Sequence, residues 1–327
     1  MRVLLVKLSS LGDVVHSLPA AMDLQAQVPD VQIDWVVEPA FAPLLQLCPA
    51  VQRVIPCNLR HWRKTFWQAD TRRAWHAFKQ DLQATAYDAV IDLQGLTKSA
   101  LVSKLAPLTP NGKRFAMANR TEGSGYEAPT RWVADVHIPC EWHSHAVDRG
   151  RHVCAQALGY ALPTSLQAGL QATPHTDVLP QTVALVHGSS RADKAWPLKH
   201  WQDLGQALQQ QGFQLALPHA NDAELQTAQA VAQACPGAVI WPRCPLDELT
   251  QRLAACVGVI GVDSGVSHIA VALGLPHVQL YNFNTAWRTG PLHAPQQMAV
   301  FDTPHPTVDT VLLAWRSCWH VTMQGHS

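Results

Sequence analysis

A chain of 327 residues that is 47% hydrophobic can close two α/β cores more readily than one. Lysine plus arginine and aspartate plus glutamate both total 24, so no global charge excess points to a nucleic acid, and no apolar run reaches membrane-spanning length. The eight cysteines form no C-x-x-C and several stand in apolar contexts, as reduced core thiols of a cytosolic protein do, which argues against disulfides and zinc.

Met1 and Arg2 lead straight into an apolar strand, Val3–Leu8, interrupted by Lys7, with no signal peptide expected. Ser9 to Asp13 form a turn and Val14–Gln27 an amphipathic helix. A βα unit this early predicts a doubly wound sheet, with ligands at the C-terminal ends of its strands. The loop lacks G-x-G-x-x-G, so the dinucleotide fingerprint is absent. Gly12 permits a ligand to come close; Asp13 is either a helix cap or a carboxylate aimed at the ligand.

Ile33–Val37 and Arg53–Pro56 read as the next strands, with a short helix, Phe41–Leu47, between them. The following loop interleaves Arg60, Arg63 and Lys64 with Trp62, Phe66 and Trp67. Cations beside aromatic surface suit sugars bearing phosphate or carboxylate groups, although a basic surface loop would read the same way. Arg72–Gln83 is helical, Ala89–Leu93 a buried strand that ends in the turn Gln94 to Lys98, and Lys113–Ala116 another strand. Asn119–Pro129 is a polar loop holding Arg120, and His143–Leu158 begins a helix; His143 and His145 lack a third metal ligand. Leu162–Pro180 loses periodicity and reads as an interdomain linker.

The α/β rhythm restarts with the strand Thr182–His187, the polar loop Gly188 to Lys194 and a helix from Trp196-Pro197 to Gln211. Phe213–Leu217 is a strand, Asp222–Cys235 a helix with Glu224 in its first turn, Ala238–Trp241 a strand and Leu246–Ala255 a helix. Val257–Val262 then runs into Asp263-Ser264-Gly265 and a helical pattern that carries His268 one turn in. Backbone N–H groups, the Ser264 hydroxyl and the positive helix end together make an anion site, unless Asp263 is merely an N-cap. His277–Tyr281 is a strand and Pro306–Val321 a final amphipathic helix.

Three strings in this order, VKLSSLGDVVHSLPA (Val6–Ala20), HGSSRADKAWP (His187–Pro197) and GVDSGVSHIAVALG (Gly261–Gly274), resemble those of the lipopolysaccharide heptosyltransferases of glycosyltransferase family 9. RHWRK (Arg60–Lys64) and YDAVIDLQGLTK (Tyr87–Lys98) resemble the type I members most, and the likeness runs from Met1 to about Leu313. The resemblance implies a GT-B fold: two Rossmann-like domains facing across a cleft, residues 1–165 for the acceptor and 180–305 for ADP-heptose. Residues 306–327 would form a helix packing back on the N-terminal domain. It implies a monomer, peripheral on anionic lipid at the cytoplasmic face of the inner membrane, with no nucleic acid partner. The reaction implied is inverting transfer of L-glycero-D-manno-heptose from ADP-heptose to the first Kdo of Kdo2-lipid A, without metal or cofactor.

Carried over residue by residue, Asp13 matches the catalytic base, and Lys194 the lysine that meets the donor phosphates and assists catalysis. Ser189 and Ser190 match phosphate-binding hydroxyls; Asp263, Ser264, Gly265 and His268 match the donor loop, with Ser264 where threonine is usual. Glu224 stands where an acidic residue holds the ribose, and Cys244 where methionine lines the adenine pocket. Ser10, Gly12, Arg60, Arg63, Lys64 and Arg120 fall on the acceptor side.

The chemistry of the residues is consistent with this. A leaving pyrophosphate must be neutralised, and with no D-x-D in the chain the means at hand are a helix N-terminus, hydroxyls and a lysine. A lone base fits inversion, whereas double displacement needs a second nucleophile. A member adding a later core heptose and a non-catalytic nucleotide-sugar binder are the alternatives; a nicotinamide oxidoreductase lacks its fingerprint here.

Overall fold

The computed structural model describes residues 1–292 and 294–324, so the expected helix beyond 324 lies outside the described residues. The chain divides into two compact units between Gly169 and Leu170. In the first, β1 (Arg2–Val6), β2 (Gln32–Val37), β3 (Arg53–Pro56), β4 (Tyr87–Asp92), β5 (Leu108–Met117) and β6 (Val136–Ile138) form one parallel sheet in the order β3-β2-β1-β4-β5-β6. The second holds β7 (Thr182–Val186), β8 (Gln214–Leu217), β9 (Val239–Ile240), β10 (Gly258–Val262), β11 (His277–Tyr281) and β12 (Gln297–Phe301), ordered β12-β11-β10-β7-β8-β9. The central strands are apolar runs, not alternations: Val3 to Val6 and Val183 to Leu185 are all 0% exposed, as helices on both faces of a parallel sheet require.

Both sheets follow the same path. Each starts at its centre, winds outward through three strands, then returns to the centre and winds the other way. The reversal falls between β1 and β4 in one unit and between β7 and β10 in the other. Loops leaving the carboxyl ends of those neighbours part in opposite directions and leave a crevice, the place where doubly wound sheets bind ligands.

Several elements differ from the sequence reading. The first helix is Leu11–Gln27, a turn longer at its start. The basic stretch forms a helix, Leu59–Thr65, where a loop was expected, because Trp62 gives it an inward side against Trp75 and Phe78. Edge strands β6 and β12 had not been anticipated; β12 buries Gln297 and Val300 but leaves Met298, Ala299 and Phe301 exposed. The final helix, Val308–Gln324, was expected on the N-terminal domain; instead its residues Val311, Ala314, Trp315 and Cys318 are built into the core of the second unit beside Phe213. Gly258 makes room for it, since a Cβ there would lie 2.5 Å from the Trp315 ring and 2.7 Å from the Pro276 carbonyl.

The start of the linker is fastened to the first unit. Arg151 donates to Asp23 at 2.6 Å and to the carbonyls of Pro163 and Ser165 at 2.8 and 3.2 Å. The eight cysteines are free thiols, all buried except Cys244, which is partly so. Burial pushes Cys48 up to about 11 and Cys57 to about 12, which makes them poor nucleophiles.

Candidate active site

In the first unit, β1 runs out through Lys7 and Leu8 to Ser9 and Ser10, and Ser10 opens the Leu11–Gln27 helix. Asp13, in the first turn, accepts from both the Ser10 N–H (3.0 Å) and the Ser10 hydroxyl (2.8 Å) through Oδ2. Its Oδ1 faces the Lys7 ammonium at 4.0 Å. The carboxylate thus closes the capping box at the helix start and still remains 42% exposed at the switch point. Burial opposes its ionisation, but the charge of Lys7, the two Ser10 hydrogen bonds and Arg149 outweigh it, so the carboxyl is held below the ordinary aspartate range.

The loop after β4 is knitted to this one. Gln94 accepts from the Leu8 and Ser9 N–H groups at 2.7 and 3.2 Å and donates to the Ser9 carbonyl at 2.7 Å. Asp92, buried beneath, accepts from the N–H groups of Gln94 and Gly95 and from the Ser99 hydroxyl. Lys7 itself is buried and donates to the Leu93 carbonyl at 3.0 Å.

Beside this edge lies a groove of about 580 Å³ that gathers Arg60 and Arg63 with Ser9, Glu38 and Lys98. Lys98 donates to the Ser9 hydroxyl at 2.5 Å and lies 3.3 Å from Glu38. Arg60 and Arg63 are exposed and form no ion pair among the described residues. Of the other expected acceptor residues, Lys64 shares their helix and Ser10 and Gly12 sit at the neighbouring helix start, none of them lining the groove. Arg120 is not brought there: it lies over the Trp142 ring at 6.0 Å.

In the second unit the same edge carries a different set. Ser264 caps the Gly265–Ala272 helix, its hydroxyl accepting from the Ser267 N–H at 3.4 Å. Asp263, buried, holds the Lys194 ammonium on Oδ2 at 2.5 Å and the His268 Nε2 near Oδ1 at 3.3 Å. Burial again opposes ionisation, but His268 and Lys194 prevail and bring the Asp263 carboxyl down to about 2. Lys194 ends a short 3-10 turn, Ala192–Lys194, clasped by the Asn282 amide, which donates to the carbonyls of Asp193 and Ala195 at 2.9 and 3.2 Å.

Ser189 and Ser190 stand in the loop leaving β7; the Ser189 hydroxyl accepts from the Arg191 N–H at 3.4 Å. Glu224 lies against Gly188, where a Cβ would come within 2.5 Å of its carboxyl carbon and push the carboxylate aside. Its carboxylate also accepts from the Ala220 N–H at 2.7 Å and from the Asn221 side chain, steadying the helix Asp222–Ala234 that carries it. Cys244 follows β9, half-buried. Along the strand order β10-β7-β8-β9 there stand in turn Asp263 with Ser264, Ser189 with Lys194, Glu224, and Cys244. At strand spacings of ~4.8 Å the row spans about 14 Å.

Sequence reasoning named Gln94 and Lys98 only as the ends of a turn at the cleft edge, and singled out neither Lys7 nor Asn282 for the site. Lys7 had a signal, a lone charge in an apolar strand; Asn282 had none. His143 pairs with Glu122 at 2.9 Å and His145 caps the Ala146–Leu158 helix. Among the described residues no three His, Cys, Asp or Glu side chains are grouped to hold a metal, and no helix is long and apolar enough to cross a membrane.

Residues 75–310 match the model of glycosyltransferase family 9 (heptosyltransferase). Lipopolysaccharide heptosyltransferase 1 of Pseudomonas aeruginosa is 39% identical over 293 residues, covering 89% of this chain and 81% of the relative. The Escherichia coli K12 enzyme of the same name is 36% identical over 286 residues, covering 86% and 88%. The solved structure of E. coli heptosyltransferase WaaC with ADP superposes with a TM-score of 0.86 at 32% identity, covering 97% of this chain and 100% of that one. The two sheets are those of the GT-B fold.

Proposed function

The chain belongs to glycosyltransferase family 9, the heptosyltransferases, and on that premise we propose how its two sheet edges divide the reaction. It is a glycosyltransferase that transfers heptose in the assembly of the lipopolysaccharide inner core. The donor, ADP-L-glycero-D-manno-heptose, lies along the edge of the second unit. Its diphosphate sits over Ser264, Gly265, Ser189, Ser190 and Lys194, its ribose meets Glu224, and its adenine reaches Cys244. The observation that supports this reading is the order of those groups along neighbouring strands, with the Lys194 ammonium and the helix start capped by Ser264 at one end and the half-buried Cys244 at the other.

Lys194 serves twice. In the resting protein its charge is shared with Asp263. A diphosphate arriving at the helix start recruits the ammonium, and the attraction grows as the anomeric C–O bond breaks and negative charge collects on the leaving phosphate. Asp263 remains ionised throughout and keeps Lys194 and His268 in place.

The acceptor, the first Kdo of Kdo2-lipid A, binds the first unit. Asp13 removes the proton from the attacking hydroxyl as that oxygen displaces ADP with inversion. Ser10 and Gly12 border the reacting centre; Arg60 and Arg63, with Lys64 on the same helix, meet the carboxylates and phosphates of the glycolipid, and Arg120, held over Trp142, takes no part. The same cations bring the protein onto anionic membrane at the cytoplasmic face. Chelator leaves the rate intact, because Lys194 and the helix start neutralise the leaving group.

The test is turnover with ADP-L-glycero-D-manno-heptose and defined acceptors. Release of ADP with Kdo2-lipid A, and none with acceptors already carrying heptose, is the expected result. Turnover confined to heptosylated acceptors would make the chain a later-acting member of the family.

A further inference from the structure

The groove beside Ser9 is not built for a sugar alone. Its walls are Leu59, Trp62 and Phe66 from one side and Trp75, Leu96 and Leu101 from the others. Trp62 is packed edge-on to Trp75 and forms a firm floor, while Phe66 and Leu101 stay 47% and 44% exposed at the lips. Trp67, next to Phe66, is 88% exposed.

The polar groups lie together and most are already engaged. Glu127 accepts the Thr97 N–H at 2.7 Å, and Lys98 is divided between Ser9 and Glu38. Arg60 and Arg63 are the guanidinium groups at the groove without an ion pair among the described residues. An apolar trough with two guanidinium groups at its mouth that form no ion pair among the described residues is complementary to an anionic amphiphile, and its volume falls within the range of ligand pockets. Exposed phenyl and isobutyl groups at the lips are costly in water and useful against hydrocarbon.

We propose that this groove takes one hydrocarbon chain of the lipid acceptor, with Arg60 and Arg63 gripping the phosphate or carboxylate next to it. The proposal rests on reading the acceptor as an anionic glycolipid, and it adds that the enzyme recognises the lipid part as well as the sugar.

The test has a binding arm and a turnover arm. Dodecyl phosphate, titrated below its micelle concentration by calorimetry, should bind saturably to the wild-type protein; inorganic phosphate should give no comparable heat. Leu101→Trp, which fills the trough from an exposed position, should abolish that binding, and Leu101→Gln, which keeps the space but removes the apolar wall, should weaken it. In turnover, Leu101→Trp should raise the KM for acylated acceptor about tenfold or more, the equivalent of about two buried methylenes, and leave the KM for fully deacylated acceptor unchanged. No saturable dodecyl phosphate binding below the micelle concentration, or equal handling of both acceptors by Leu101→Trp and wild type, would overturn the proposal. A calorimetric signal seen only with anionic vesicles would do the same and make the groove a membrane patch. Saturable binding lost in Leu101→Trp, with no acceptor turned over at all, would uphold the amphiphile site and defeat the glycosyl-transfer reading instead.

Discussion

The two sheet edges share one strand path yet handle charge in opposite ways. Between β7 and β10, Lys194, Asp263 and His268 form a closed set, with the central carboxylate buried and the ammonium 2.5 Å away. Between β1 and β4, Asp13 is half-exposed; one oxygen is committed to Ser10 and the other stands 4.0 Å from Lys7. A closed set holds a cation in register for an anionic ligand, at the cost of competing for it. An open carboxylate oxygen is free to accept a proton. On the proposed reading the same scaffold furnishes the leaving group's counter-charge in one half and a base in the other, and the loops after the central strands decide which.

Substitutions at three positions would break or sharpen that contrast. Asp13→Asn should have the largest effect, lowering kcat by about 10²–10⁴-fold while ADP affinity stays within about twofold. The asparagine carbonyl can still accept from Ser10, so the helix start survives, whereas Asp13→Ala should also lose ~1 kcal/mol of stability. Steady-state rates beside melting curves separate the two effects, and an Asp13→Asn enzyme with normal turnover would reduce Asp13 to a cap and erase the difference between the edges.

Lys194→Ala comes second. Losing a charge-assisted hydrogen bond worth ~1.5–3 kcal/mol should weaken ADP about 10–100-fold by calorimetry, with a fall in kcat as well. If ADP binds as before, the Lys194–Asp263 pair is structural and the second edge is not a phosphate site.

The smallest change should come from Lys7→Met, and it is one of pH dependence. Lys7 helps to hold the Asp13 carboxyl below its usual range against burial, which raises it. Activity needs the ionised form, so it is present above that pKa and lost as pH falls through it. Without the ammonium the pKa rises, and the acid limb of the kcat profile should move to higher pH while the alkaline plateau changes little. An unmoved limb would mean that Lys7 does not tune the base.

What could be read before the structure was local. Asp263-Ser264-Gly265 and Ser10 to Asp13 announce themselves because a strand, a turn and a helix start occupy a few consecutive residues. Partnerships across the sheet could not be read that way: Lys7 meets the Leu93 carbonyl 86 residues on, and Asn282 clasps a loop 87 to 89 residues earlier. The helix Leu59–Thr65 was hidden because its charges mask a single inward tryptophan. The periodicity of the last helix showed that it would be amphipathic but not which sheet it would cover. That choice lies in the missing side chain of Gly258, a detail of shape and not of hydrophobicity.

The seat that Gly258 provides for Trp315 also imposes an order on biosynthesis. A ribosome finishes the sequence of the first unit at Gly169, with roughly half of the chain still to be made. The second unit must wait: until Trp315 emerges, the face of β10 and β11 and the ring of Phe213 have no lid, although every strand of that sheet has already been synthesised. The second unit can therefore close its core only at the end of synthesis, and a chain truncated before Trp315 should leave apolar surface of β10, β11 and Phe213 uncovered.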